Sequence, residues 1–352
     1  MILRLRIGTP AEVVQELRTL IEGQGLRTFL SPEPSRPIVA IVDKAPQELV
    51  DQWAARPEVE QAIVPRGEWR LVDRAWREGR TSVSVGRVCV GAGETVIIAG
   101  PCSVEGRDLI LEGARICRDA GAHILRGGAF KPRTSPYAFQ GLGREGLAQL
   151  KDAGESVGLP VISEIMDATQ VDWFRDYDID CMQVGARNMQ NFTLLKAIAA
   201  AGRPVLLKRG LSATVAEWLA AAEYLAAHGS DQIILCERGI RTFETATRNT
   251  LDLTVLPLLR QWTHLPIMVD PSHAAGIPEL VAPLARAAIA AGADGVAVEV
   301  HPRPDEALSD GAQALLPGEL ARVVAECRVV GAVLGRAFHA QPQPKGTASL
   351  VT

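Results

Sequence analysis

No CxxC pair and no disulfide-framework spacing connects the six cysteines, at positions 89, 102, 117, 181, 236 and 327. That suits a reducing compartment and makes most of them small core hydrophobes. No apolar stretch approaches the ~20 residues that a membrane span requires. The start, MILRLRIGTPAEVV, lacks the long apolar core and small-residue cleavage site of a secretory signal, so a cytoplasmic setting without membrane contact is expected. An excess of basic charge is missing too. The 37 Lys and Arg against 41 Asp and Glu give a net charge of −4, whereas a phosphodiester backbone needs a basic face. Nucleic acid is thereby excluded as a partner, and positive charge used in function has to be local.

What is present is a β/α alternation. Eight short apolar runs, VIIAGPC, HILRGGAFKPR, PVISEI, CMQVGAR, PVLLKRG, IILCERG, PIMVDPSH and GVAVEVH, each end in a polar or ionisable residue. Helical periodicity follows, as in DLILEGARICRDAGA and IPELVAPLARAAIAAGA, with a later start after the fifth run. This is the pattern of a (β/α)₈ TIM barrel, expected over residues 95–336. The 352 residues exceed what one barrel needs, so a smaller domain is expected ahead of it. Residues 1–75 read βαββαβ, a ferredoxin-like α+β arrangement. They carry no nucleophile or ligand cluster and suit an accessory, oligomerisation or regulatory module. Residues 76–94 form a linker and a hairpin placed to plug the barrel, and 337–352 read as a flexible tail.

In such a barrel the strand C-termini open onto one face, which would gather residues the sequence scatters. The densest segment is LRGGAFKPRTSPYAFQGLG. Arg126, Lys131 and Arg133 stand there with the hydroxyls of Thr134 and Ser135, and Gly127 and Gly128 admit an anion close to the backbone. Lys208, Arg238 and Arg187 end or follow later strands. Singly each reads as a surface ion-pair partner, and Arg209, Glu237 and Arg241 read as rim pairs. Together on one rim the cations form a basin for a substrate pair bearing phosphates and a carboxylate. Cys102, His273, Glu299 and Asp310 make a mixed soft and hard set that fits Mn²⁺, Fe²⁺, Co²⁺ or Zn²⁺ better than Ca²⁺ or Mg²⁺. Spacing alone is also consistent with a core cysteine and a turn-capping histidine. His301 is a spare with a structural or supporting reading.

The strings AGPCSVEG, LRGGAFKPRTSPYAFQGLG, QVGARNMQNFTLLK, PVLLKRG, ILCERGIRTFETATRNTLDL, VDPSHAAG and VEVHPRPDEALSDGAQAL resemble the 3-deoxy-D-arabino-heptulosonate-7-phosphate (DAHP) synthases, type I beta branch. The resemblance implies a metal-dependent transferase that joins phosphoenolpyruvate to erythrose 4-phosphate, the first step of the shikimate pathway. It implies metal ligation by Cys102, His273, Glu299 and Asp310. Phosphoenolpyruvate would be held by Arg126, Lys131, Lys208 and Arg238 with Ala186 and Arg187 nearby, and the aldose phosphate by Arg133, Thr134 and Ser135. Lys131 would protonate the developing alkoxide, and Glu164 or a metal-bound water would assist hydration. By analogy the protein would be a homotetramer, with an aromatic amino acid, tyrosine first, as effector. Three alternatives stay open: an octulosonate-phosphate synthase using arabinose 5-phosphate, which usually carries KANRSS where this chain has KPRTS; a Schiff-base aldolase using Lys208; and a non-catalytic amino-acid sensor.

Overall fold

A computed structural model describes residues 1–33, 36–131 and 135–340. It divides into two compact units, Met1–Thr81 with Leu258–His264, and Ser82–Pro257 with the chain from Leu265 onward.

In the first unit, strands β1 (Ile2–Leu5), β2 (Thr28–Leu30), β3 (Ile38–Ile41) and β4 (Val59–Ile63) form an antiparallel sheet in the order β2-β3-β1-β4. Helices Ala11–Glu22 and Gln47–Ala54 complete a βαββαβ order, the ferredoxin-like arrangement. The two-residue strand period puts Leu3, Leu5, Val39 and Ile41 in one core with Val14, Leu17, Ile21 and Trp53. Val14, Leu17 and Ile21 recur at helical spacing, so one stripe of the first helix is buried.

The second unit begins with the hairpin β5 (Val83–Val85) and β6 (Val88–Val90). A closed parallel barrel follows, made of β7 (Val96–Gly100), β8 (Ile124–Arg126), β9 (Val161–Ile165), β10 (Cys181–Val184), β11 (Val205–Lys208), β12 (Ile233–Glu237), β13 (Ile267–Val269) and β14 (Gly295–Glu299). All eight expected runs are strands of this barrel. Helices 107–120 and 144–157 stop on Gly121 and Gly158, both left-handed as C-caps require. The helix after β11 starts only at Val215, behind a Thr214–Glu217 capping box.

Val83, Val85, Val88 and Val90 share one core with Val96, Ile124, Ile162, Cys181, Leu206, Ile234 and Met268, residues from the first turns of the strands. The hairpin therefore closes the end of the barrel where the strands begin. All six cysteines are free. Burial pushes the Cys117 and Cys327 thiols up to about 12, as expected of inert core residues. Among the described residues no helix is long and apolar enough to cross a membrane.

Where a loose tail is expected, Ala337–His339 instead run beside the start of β7. Thr95 N–H donates to the Ala337 carbonyl at 2.8 Å, and His339 N–H to the Thr95 carbonyl at 3.1 Å. Positions 341–352 lie outside the described residues.

His123 anchors that strap. Its Nδ1 accepts the Ile97 N–H at 2.8 Å and its Nε2 lies 2.9 Å from the His339 carbonyl, so the neutral ring is satisfied at both ends. In the first unit, His264 is held likewise by Thr81 Oγ1 at 2.6 Å and the Leu71 carbonyl at 2.8 Å. Burial depresses both rings to about 4, whereas the unfolded chain takes the proton near 6.5. The stability they secure is complete above that value and is lost as pH falls towards 4, up to about 3 kcal/mol per ring. Calorimetry at pH 7 and pH 4.5 should show a clearly lower unfolding midpoint at the acid end.

Candidate active site

At the opposite end, where the strands finish, Cys102, Lys131, Glu164, Ala186, Arg187, Lys208, Arg238, His273 and Asp310 line one cavity of about 170 Å³. They come from all eight strands or the turns that follow them, Ala186 and Arg187 together from the turn after β10, and His273 and Asp310 from short elements after β13 and β14. Strand geometry explains the convergence: Lys208 and Glu299 are the last residues of β11 and β14, and Arg238 follows β12 directly.

One side of the cavity carries the donor set. Oxygens of Glu299 and Asp310 and the Cys102 Sγ all lie within 4.8 Å of one another. His273 Nε2 stands 3.4 Å from Glu299 Oε1, beside that trio rather than within it. Its Nδ1 lies 2.7 Å from Asp270 Oδ2, within ion-pair range but without hydrogen-bond alignment. Burial holds His273 below the ordinary imidazole value despite Asp270 and Glu299. Burial alone would raise Glu299, but His273 and Arg126 overcome it and keep this carboxylate ionised.

Cys102 points the other way. Burial first, then the Glu299 charge, push its thiol up to about 11, against the pull of Lys131 and Arg126. Ionising it among two carboxylates calls for added positive charge, and a divalent ion is such a charge. One thiol, one imidazole and two carboxylates suit a transition ion, so the residues present fit a metal.

The other side is cationic. Lys131, Arg187, Lys208, Arg238, Arg241 and Arg248 line the cavity against Glu164 and Asp310. Lys131 Nζ donates to Cys102 Sγ at 3.2 Å and so links the two halves. Gly128 makes room for it, since a β-carbon there would collide with Nζ. Lys208 Nζ donates to Asp270 Oδ2 at 2.6 Å. Arg238 is buried and, among the described residues, hydrogen-bonds only to carbonyls, Gly239 at 3.4 Å and His273 at 3.3 Å. Its charge, which burial disfavours, is left for an anion.

Other expected residues take different places. Arg126 Nη1 donates to Glu299 Oε1 at 2.5 Å and is buried behind the cavity rather than lining it. Ser135 is exposed and does not reach the cavity wall. Arg133 and Thr134 lie outside the described residues. Arg209 does form an ion pair, 3.0 Å from both Glu237 and Asp252. Arg241 does not act as a rim pair: it lines the cavity and pairs with no carboxylate among the described residues. His301 faces Glu105 at 3.7 Å, a supporting position.

Sequence reasoning missed Asp270, Ser309, Gln313, Arg248 and Asn249. Asp270 carried a signal, because an acid directly before Pro271 reads as a helix N-cap. Its Oδ1 does accept the His273 N–H at 2.9 Å, while Oδ2 ties Lys208 to the His273 ring. Ser309 Oγ lies 3.0 Å from Cys102 Sγ, and Gln313 Nε2 donates to Glu299 Oε2.

Comparison with known proteins agrees with this geometry. A phospho-2-dehydro-3-deoxyheptonate aldolase of Thermotoga maritima is 45% identical over 315 residues, 90% of this chain and 93% of that protein. The crystal structure of a T. maritima protein of that name, also titled DAHP synthase, superposes with a TM-score of 0.76 at 43% identity, covering 96% of this chain and 99% of the other. A 2-dehydro-3-deoxyphosphooctonate aldolase of Desulfotalea psychrophila is 34% identical over 64% of this chain and 85% of its own length. Residues 75–330 match the sequence profile of the DAHP synthetase I family, and with the barrel and its mouth arranged as described, the chain belongs to that family.

Proposed function

We propose that this cavity condenses phosphoenolpyruvate with erythrose 4-phosphate to give DAHP and inorganic phosphate, the 3-deoxy-7-phosphoheptulonate synthase reaction that opens the shikimate pathway. The observation that carries this reading is the meeting, at one cavity, of Cys102, His273 and Asp310, backed by the buried Glu299, with six cationic side chains. A divalent ion held by Cys102, His273, Glu299 and Asp310 supplies Lewis acidity towards an aldehyde oxygen when bound. Mn²⁺, Fe²⁺, Co²⁺ and Zn²⁺ all suit the set.

The chain's own residues do the rest. Lys208, Arg238 and Arg187 neutralise the phosphate and carboxylate of phosphoenolpyruvate, and the buried pair fixes its orientation. Arg126 supports them from behind through Glu299. Ala186, beside Arg187 in the wall, leaves space for that anion. Arg133, Thr134 and Ser135 are assigned to the aldose phosphate on the resemblance of the KPRTS run. As C3 of the enol attacks the aldehyde carbon, Lys131 donates a proton to the developing alkoxide. Water then adds at the cationic C2 with Glu164 accepting its proton, and the C2–O bond to phosphate breaks. The homotetramer, the aromatic effector acting through the βαββαβ unit and the cytoplasmic setting complete the proposal, and rest on the resemblance and on the free cysteines.

Two alternatives lose ground. The octonate relatives share the barrel, but this chain keeps KPRTS and matches a heptonate enzyme over nearly its full length. A Schiff-base role for Lys208 is opposed by its bond to Asp270, because an ammonium that donates to a carboxylate offers no free electron pair. A steady-state assay of phosphate release with erythrose 4-phosphate and with arabinose 5-phosphate tests the proposal. Release should need erythrose 4-phosphate, stop with chelator and return with added metal. Equal use of the five-carbon sugar, or a borohydride-trapped adduct with indifference to chelators, would overturn it.

A further inference from the structure

Arg248 stands on the long loop between β12 and the helix Val255–Trp262, away from the strand ends that supply most of the site. Its N–H donates to the Ala275 carbonyl at 2.9 Å, and that of Asn249 to the Ala274 carbonyl at 2.8 Å. The loop therefore runs along the short helix that carries His273, whose carbonyl also accepts from Asn249 Nδ2 at 2.9 Å. Gly276 admits this approach: its φ is +70°, and a β-carbon there would lie 2.7 Å from that of Arg248.

The Arg248 side chain then crosses to the turn after β14. Its Nη1 donates to Gln313 Oε1 at 2.6 Å and stands 3.5 Å from Asp310 Oδ1. Gln313 passes the contact on by donating to Glu299 Oε2. The second oxygen of Asp310, Oδ2, is the one that faces Cys102 Sγ, at 3.4 Å. Asp310 itself sits at φ 50°, a left-handed conformation that a non-glycine residue keeps only when its surroundings hold it there.

We infer that Arg248 is a positioning residue for the metal centre, occupying Oδ1 of Asp310 so that Oδ2 alone is presented as donor, and fixing the plane of Glu299 through Gln313. The inference rests on the metal-centre reading of the preceding section. The Arg248 side chain is 37% exposed, so solvent screens its charge and its effect is chiefly one of orientation. Supporting contacts of this kind typically change metal affinity by about 10–100-fold when removed.

The test uses Co²⁺ as the probe, titrated into the metal-depleted full-length chain and followed by thiolate-to-cobalt absorption. Arg248→Ala should bind Co²⁺ about 10–100-fold more weakly, Arg248→Lys should recover part of the loss, and Gln313→Leu should weaken binding with Arg248 in place. At saturating metal, the KM for erythrose 4-phosphate should change little. Parental Co²⁺ affinity in Arg248→Ala, with or without a raised KM for the sugar phosphate, would overturn the inference, a raised KM marking Arg248 as a substrate contact. If Arg248→Ala does not fold, Arg248→Lys and Gln313→Leu decide the matter by the same titration. Failure of the parent to bind Co²⁺, or equal binding by Cys102→Ala, would instead bring down the metal-centre reading itself.

Discussion

Cys102→Ala should leave less than about a thousandth of the parental rate of phosphate release, with the fold unchanged. The thiol stands among Lys131 Nζ at 3.2 Å, Ser309 Oγ at 3.0 Å and Asp310 Oδ2 at 3.4 Å, so one substitution removes a proposed metal donor and the acceptor that aims Lys131. Lewis-acid stabilisation amounts to several kcal/mol, and about 4 kcal/mol is already a factor of about a thousand in rate. Packing loses only a sulfur at the cavity wall, so circular dichroism and thermal midpoint should match the parent. Full activity of the variant in the presence of chelator would refute both roles of the thiol.

Asp270→Ala should cost stability as well as activity. Asp270 is buried, and its carboxylate accepts from Lys208 Nζ and from the His273 backbone N–H while standing against the His273 ring. Burial acting alone would raise this carboxyl, yet His273 and Lys208 hold it well below the usual range. Deleting it strands the buried Lys208 charge, and breaking one side of such a pair typically costs about 3–5 kcal/mol. For a unit of this size that lowers the midpoint by on the order of 10 °C. Differential scanning calorimetry checks this, and an unchanged midpoint would mean that Lys208 finds another partner. Asp270→Asn keeps the shape and a cap acceptor, and should fall between the two.

Much of this was legible before any coordinates. The eight strands announced themselves because each buried parallel strand is a short β-branched run that ends where its side chains meet the cavity, so the last apolar residue marks the rim. Cys102, Lys131, Lys208, Arg238 and His273 followed from that rule alone. The orientation of Arg126 did not, because its partner Glu299 lies 173 positions further along the chain and reaches it over β7, the strand between theirs. Arg248 was hidden in a loop without periodicity, and Gln313 carries no residue-type signature of ligation. Asp270 looked fully explained by one of its oxygens. The strap at Ala337–His339 reads as loose because it is polar and near proline, but its order comes from backbone pairing with Thr95, which composition does not encode.

Because the valine hairpin stoppers the end where the strands begin, the cavity opens where they finish. There Arg187 and Arg241 stand exposed in the wall, and Lys208 and Arg238 lie buried in it. An incoming anion thus meets hydrated positive charge first and dehydrated positive charge last, a gradient that strengthens its hold as water is shed.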